Sequence, residues 1–196
     1  MSKIIRYKMV LFGDSKVGKT SVVERFIHEK FEESYISTLG YNVYEKQIPY
    51  KDSVISLMIW DIGGQEKFRD LRKRYAEGAN VAFLVYDITN IDSFNNINIW
   101  RKDLEEFAGK APFILIGNKM DLDTNRQVPK ADAQRIATGP GGLGALDFFE
   151  TSAKTGAGVD NAFKMLATKT YDAQYKIIWI VNSHNFWSIV QLRFPK

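Results

Sequence analysis

Gly13-Asp14-Ser15-Lys16-Val17-Gly18-Lys19-Thr20 constrains this chain more than any other stretch, because it fits the spacing G-x-x-x-x-G-K-S/T between an apolar run and a segment of helical period. Residues 4 to 12 read as a strand, and residues 19 to 29 place Val22, Val23, Phe26 and Ile27 on one helical face. A strand that turns through glycines into a helix lets successive N–H groups point inward, beside the positive end of the helix dipole. Such a turn suits phosphate. Lys19 then reaches the β- and γ-phosphates, and the Thr20 hydroxyl is a ligand for magnesium.

The remaining elements follow in a regular order. Strands at about 40 to 48 and 54 to 61 flank a turn from Pro49 to Ser53 and predict a hairpin. A helical segment from Glu66 to Glu77 comes next, with Phe68, Leu71 and Tyr75 on one face; its charges, Arg69, Arg72, Lys73 and Arg74, read as a solvated surface. Then alternate strand 80 to 87, helix 92 to 108, strand 112 to 117, helix 130 to 138, strand 146 to 150 and helix 159 to 175. Phe94, Ile97, Trp100, Leu104 and Phe107 recur at spacings of three and four, Asp92 is placed to cap that helix, and Pro129 suits the first turn of the next. Thr138 to Gly144 is too rich in glycine to continue a helix. The pattern predicts an α/β fold, one doubly wound and mainly parallel six-stranded sheet with five helices, and ligands at the C-terminal ends of its strands. Residues 1 to 176 form that domain and residues 177 to 196 an extension.

Composition narrows the chemistry. The 196 residues include no cysteine, which excludes disulfides, thiolate catalysis, cysteine-ligated zinc and a prenyl anchor. The start carries neither a signal-peptide core nor a glycine for myristoylation, so a cytoplasmic protein is expected. The net charge of +4 comes from 27 bases and 23 acids scattered along the chain, and nucleic acid is not an expected partner.

A phosphate loop alone leaves kinases, ATPases and GTPases open. Asn118-Lys119-Met120-Asp121 follows the strand 112 to 117, and the Asp121 carboxylate can accept two hydrogen bonds from the ring N–H and exocyclic amine of guanine. Adenine presents a different edge, which leaves that carboxylate poorly paired. Asn118 and Lys119 are positioned to hold the loops around the base. Thr151-Ser152-Ala153-Lys154, after the last strand, supplies a backbone N–H for the guanine carbonyl and an aliphatic stem to cover the ring.

With these motifs in this order, residues 4 to 175 resemble the Ras superfamily of small GTPases. The resemblance implies GTP or GDP as bound nucleotide, Mg2+ as cofactor, slow GTP hydrolysis stimulated by an activating protein, and a switch that recruits effectors. It places Asp14, Ser15, Lys16, Val17, Gly18, Lys19, Thr20 and Ser21 around the phosphates, Phe31 against the guanine, Tyr35 over the phosphates, and Asn118, Lys119, Asp121, Ser152, Ala153 and Lys154 around the base. Thr38, with Thr20 and Asp61, holds magnesium; Gly64 meets the γ-phosphate through its N–H, and Gln65 orients the attacking water, so that Gln65, Lys19 and Gly64 form the catalytic set. Residues 35 to 42 and 148 to 154 look like the Rab and Ras branches, whereas Trp60-Asp-Ile-Gly-Gly-Gln65 resembles the Arf branch and the septum-promoting GTPases. Exchange factor, activating protein and effectors are expected to engage residues 31 to 45 and 62 to 77. Two alternatives stay open: a P-loop kinase or ATPase, and a module that holds the nucleotide without turning it over.

The last residues are unlike the prenylated polar tails of those branches. Trp179, Phe186, Trp187 and Phe194 suit packing on the domain, a partner groove or a membrane interface, but the apolar run from Ile177 to Val181 is far short of the roughly 20 residues of a membrane span.

Overall fold

The computed structural model describes residues 3–31, 38 and 40–175. Six strands form one sheet: β1 (Lys3–Phe12), β2 (Tyr41–Tyr50), β3 (Ser53–Ile62), β4 (Val81–Asp87), β5 (Phe113–Asn118) and β6 (Asp147–Glu150), in the order β2-β3-β1-β4-β5-β6. Only the β2–β3 hairpin is antiparallel; β1 runs parallel to β3 and β4, and β5 to β4 and β6. Both faces are covered, so the central strands are apolar on both. Tyr7, Met9 and Leu11 of β1 pack with Val23 and Phe26 of α1 (Lys19–His28) and Phe163 of the helix at residues 159–175, here α6. Val10 and Phe12 point the opposite way, toward Leu104 and Phe107 of α4 (Ile97–Ala108) and Ala133 of α5 (Lys130–Thr138). This period of two is the pleat of the strand made visible in the core.

The helix expected over 92 to 108 is divided into α3 (Ile91–Asn95) and α4, with Asn96 between them. The α3 cap is Asn90, whose Oδ1 accepts from Ser93 N at 3.2 Å, and not Asp92, which already lies inside the helix. Pro129 stands one place earlier than expected, as the residue before α5. The segment after Gln65 opens as a 3-10 turn, Glu66–Phe68, and continues as α2 (Arg69–Ala76); a second 3-10 stretch covers Met120–Asn125. The described residues thus contain six α-helices where five were expected, the extra one arising from the break at Asn96. The strand order reverses direction between β1 and its neighbours β3 and β4, and a crevice at the strands' C-terminal ends follows from that reversal.

Candidate functional site

A cleft of about 640 Å³ opens at those ends, within the size range of small-molecule sites. Ser15, Lys16, Gly18, Lys19, Thr20, Ser21, Phe31, Thr38, Gly64, Gln65, Asn118, Lys119, Asp121, Ala153 and Lys154 line it. Four other expected residues stand behind the wall and reach it through a neighbour: Asp14 and Val17 through their carbonyls, Asp61 through Thr20, and Ser152 through Asp121. Tyr35 lies outside the described residues. Gly63, part of the Trp60 to Gln65 motif but given no role of its own, also lines the cleft, and Glu24, Lys30 and Leu122, which belong to no motif with a fixed spacing, complete it.

At one end the loop after β1 wraps Lys19. Gly18 has φ +94, and a Cβ there would stand 2.3 Å from Asn118 Nδ2, so only glycine fits both the conformation and the close approach. Lys19 is buried, and its ammonium donates to the carbonyls of Gly13 at 2.7 Å and Asp14 at 2.8 Å. Burial pushes its pKa down to about 8, against the opposing pull of the Asp61 and Asp14 charges. Gly64 closes over it: a Cβ there would lie 2.5 Å from Lys19 Nζ.

Beside the lysine, Thr20 Oγ1 donates to Asp61 Oδ2 at 2.6 Å and lies 2.7 Å from Thr38 Oγ1. These atoms come from α1, the segment before β2, and the end of β3. Asp61 is fully buried and its Oδ1 has no hydrogen-bond partner among the described residues. Burial raises its pKa, offset in part by the Thr20 bond and the Lys19 charge. Two hydroxyls and one carboxylate are hard oxygen donors, and such a sparse set suits magnesium, which keeps waters and phosphate oxygens as its other ligands. The unsatisfied Oδ1 fits the same ion or a water bound to it.

At the other end Asn118 ties three loops together. Its Nδ2 donates to Val17 O at 3.0 Å, while its Oδ1 accepts from Thr151 Oγ1 at 3.1 Å and Ala153 N at 3.3 Å. Lys119 has φ +69 and its ammonium pairs with Asp87 at 2.6 Å. Ser152 Oγ donates to Asp121 Oδ1 at 2.5 Å, which leaves the carboxylate's other oxygen outside that bond. Arg25 of α1 secures the neighbouring turn by donating to the carbonyls of Ala153 and Lys154.

Gln65 sits at the start of the 3-10 turn, in extended conformation. The solvated reading of the following charges holds for Lys73 and Arg74 but not for Arg72, which is 1% exposed and donates to the carbonyls of Gly63 and Gln65. Residue type alone gave no hint, since an arginine beside three other bases looks solvated. Tyr41, Trp60 and Tyr75 form a continuous aromatic cluster on the outer surface, with centroids 4.3 to 5.7 Å apart.

The sequence is similar to those of known proteins over most of its length. The model of the Ras family matches residues 8–172. The Ras-related protein Rab-2B of Dictyostelium discoideum is 42% identical over 159 residues, covering 81% of this chain and 77% of that protein. Rab-13 of Bos taurus is 41% identical over 162 residues, 82% of this chain and 78% of its own length, and RABG3f of Arabidopsis thaliana is 38% identical over 170 residues, 82% and 80%. The chain belongs to the Ras family, the small GTPases that bind GTP or GDP with magnesium, hydrolyse GTP and act as switches in trafficking or signalling.

Proposed function

We propose that the nucleotide lies along the cleft with its phosphates at the loop after β1 and its guanine between Phe31, Asp121 and Lys154. One observation carries this reading: the glycine-rich loop with Lys19 and the Asp121 carboxylate, braced by Ser152, line a single cleft. The N–H groups of residues 14 to 21 and the Lys19 ammonium hold the β- and γ-phosphates, and Tyr35, outside the described residues, covers them. Asp121 accepts from guanine, Ala153 N meets the guanine carbonyl, and Asn118, Lys119 and Ser152 brace these groups. Thr20, Thr38 and Asp61 would hold magnesium, which when bound would supply positive charge to neutralise the phosphates.

In the reaction, the water oxygen bonds to the γ-phosphorus as the bond from that phosphorus to the β–γ bridging oxygen breaks. The electron pair leaves with GDP, and the water's protons pass to the released phosphate and solvent. Gln65 orients the water, the Gly64 N–H meets a γ-phosphate oxygen, and Lys19 meets the charge that develops on the bridging oxygen. An activating protein supplies an arginine, worth on the order of 10³ to 10⁵ in rate. Gln65→Leu therefore traps the GTP state. The check is single-turnover hydrolysis with and without an activating protein; rates equal to those of the parent chain would contradict the assignment.

Regulators and effectors engage residues 31 to 45 and 62 to 77. Support comes from the aromatic cluster of Tyr41, Trp60 and Tyr75, which spans both segments, and from the exposed Val43. Residues 32–37 and 39 of that surface lie outside the described residues, as do residues 176–196. We assign residues 1–176 to the GTPase domain and the aromatic extension, 177–196, to recruitment to a partner or to a membrane surface, where the protein sits peripherally. Among the described residues no helix is long and apolar enough to cross a membrane. Truncation after Lys176 should leave the melting temperature nearly unchanged and abolish liposome or partner binding; a large drop in melting temperature with binding intact would refute the recruitment role.

A further inference from the structure

Arg72 is buried to 1% exposure on a helix whose neighbouring bases face solvent. Its Nη1 donates to Gln65 O at 2.7 Å and Gly63 O at 3.2 Å, the carbonyls on either side of Gly64, and its Nη2 lies 3.5 Å from Glu66. The guanidinium stacks over Trp100 of α4, 4.8 Å from the ring centroid. Trp100 Nε1 in turn donates to Asp14 Oδ1 at 2.6 Å, and Asn96 Nδ2 to Asp14 Oδ2 at 2.8 Å. The Asp14 carbonyl is one of the two that hold Lys19. An unbroken series of contacts therefore runs from the backbone of Gln65, through Arg72 and Trp100, to the loop that holds the phosphates.

Packing alone does not account for a charge at this place. An apolar side chain of the same volume fills a buried site without desolvating a guanidinium, and here the Arg72 Nε has no hydrogen-bond partner among the described residues. What offsets the cost is the position of the guanidinium: Nη1 fixes two carbonyls two residues apart, those of Gly63 and Gln65, while the plane of the group lies on Trp100. We infer that Arg72 is a positioning residue for GTP hydrolysis, which sets the backbone around Gly64 and Gln65 and, through Trp100, registers it against the phosphate loop. The inference rests on Gln65 being the residue that orients the attacking water.

Full-length chain loaded with GTP and magnesium tests it by single-turnover hydrolysis, with GDP release and thermal unfolding measured on the same samples. Arg72→Met keeps the volume and removes the donors; Arg72→Lys keeps the charge and loses the planar group stacked on Trp100. Both are expected to slow hydrolysis roughly 10- to 100-fold, the cost of misplacing a group by about an ångström, while GDP release changes less than about threefold. Trp100→Phe, which keeps the ring under the guanidinium and drops the N–H to Asp14, is expected to slow hydrolysis several-fold and covers the case in which Arg72→Met fails to fold. A folded Arg72→Met or a Trp100→Phe chain that hydrolyses at the parental rate overturns the inference, as does hydrolysis that falls only in step with melting temperature. Gln65→Leu run alongside separates the two readings: if it is impaired and the Arg72 variants are not, the Arg72 role alone fails, whereas a parental rate in Gln65→Leu removes both.

Discussion

In the proposed arrangement base choice rests on Asp121, which accepts a 2.5 Å bond from Ser152 Oγ. A carboxylate offers only acceptors, so it pairs with guanine's two donors and with no equivalent edge of adenine. Sites that hydrogen-bond their ligand reject an analogue that leaves their polar groups unpaired far more strongly than apolar pockets reject a missing methylene. Asp121→Asn exchanges one acceptor for a donor and suits xanthine. The expected outcome is a shift of the GTP-to-XTP affinity ratio by at least about 100-fold toward XTP, measured by competition binding; an unchanged ratio would show that another group reads the base. Motif spacing made Asp121 legible, because the residue and its strand are neighbours in sequence. Arg72 was not legible, since its burial depends on Trp100 and the Gly63 carbonyl, one of which is remote in sequence.

Among the elements, the divided helix α3–α4 shows where local pattern and tertiary demand part. Apolar spacing is continuous across 92 to 108, yet α3 ends and α4 begins at Asn96, whose φ −74° and ψ −9° stay right-handed but open the turn between the two pieces. Its side chain leaves the helix surface to bond Asp14, so the break serves the phosphate loop and not the helix. Capping moves with it: Asn90, not Asp92, accepts from the Ser93 N–H in the first turn. Replacing a capping Asn by Ala costs about 1 kcal/mol, so Asn90→Ala should lower the melting temperature by roughly 2 to 4 °C. Asp92→Ala run beside it should have the smaller effect, and equal losses would show that Asn90 is no cap. Asp92 was the reasonable choice from sequence, since either residue caps well and only the backbone decides which one precedes the first helical turn.

For the whole molecule, ligand binding and stability are one problem. Thr20, Thr38 and Asp61 converge from three segments, and Lys19 is buried against the carbonyls of Gly13 and Asp14, so the fold gathers buried polar groups that a nucleotide with magnesium would engage. A ligand that binds only the folded chain stabilises it by about 2.7 kcal/mol at a hundredfold excess over Kd. Chelating magnesium from the GDP complex is therefore expected to lower the melting temperature and to speed release of a fluorescent GDP at least about tenfold; chelator-insensitive release would remove the metal assignment. By itself the sequence determined the alternation of strands and helices, the phosphate loop and the guanine-type motif, because each is encoded in spacings of a few residues. Tertiary structure alone decided that Arg72 is buried, that Asp14 turns away to α4, and that the Asp61 carboxylate is buried beside Thr20. Those outcomes depend on which distant segments the sheet brings together, and no local pattern encodes the desolvation that results.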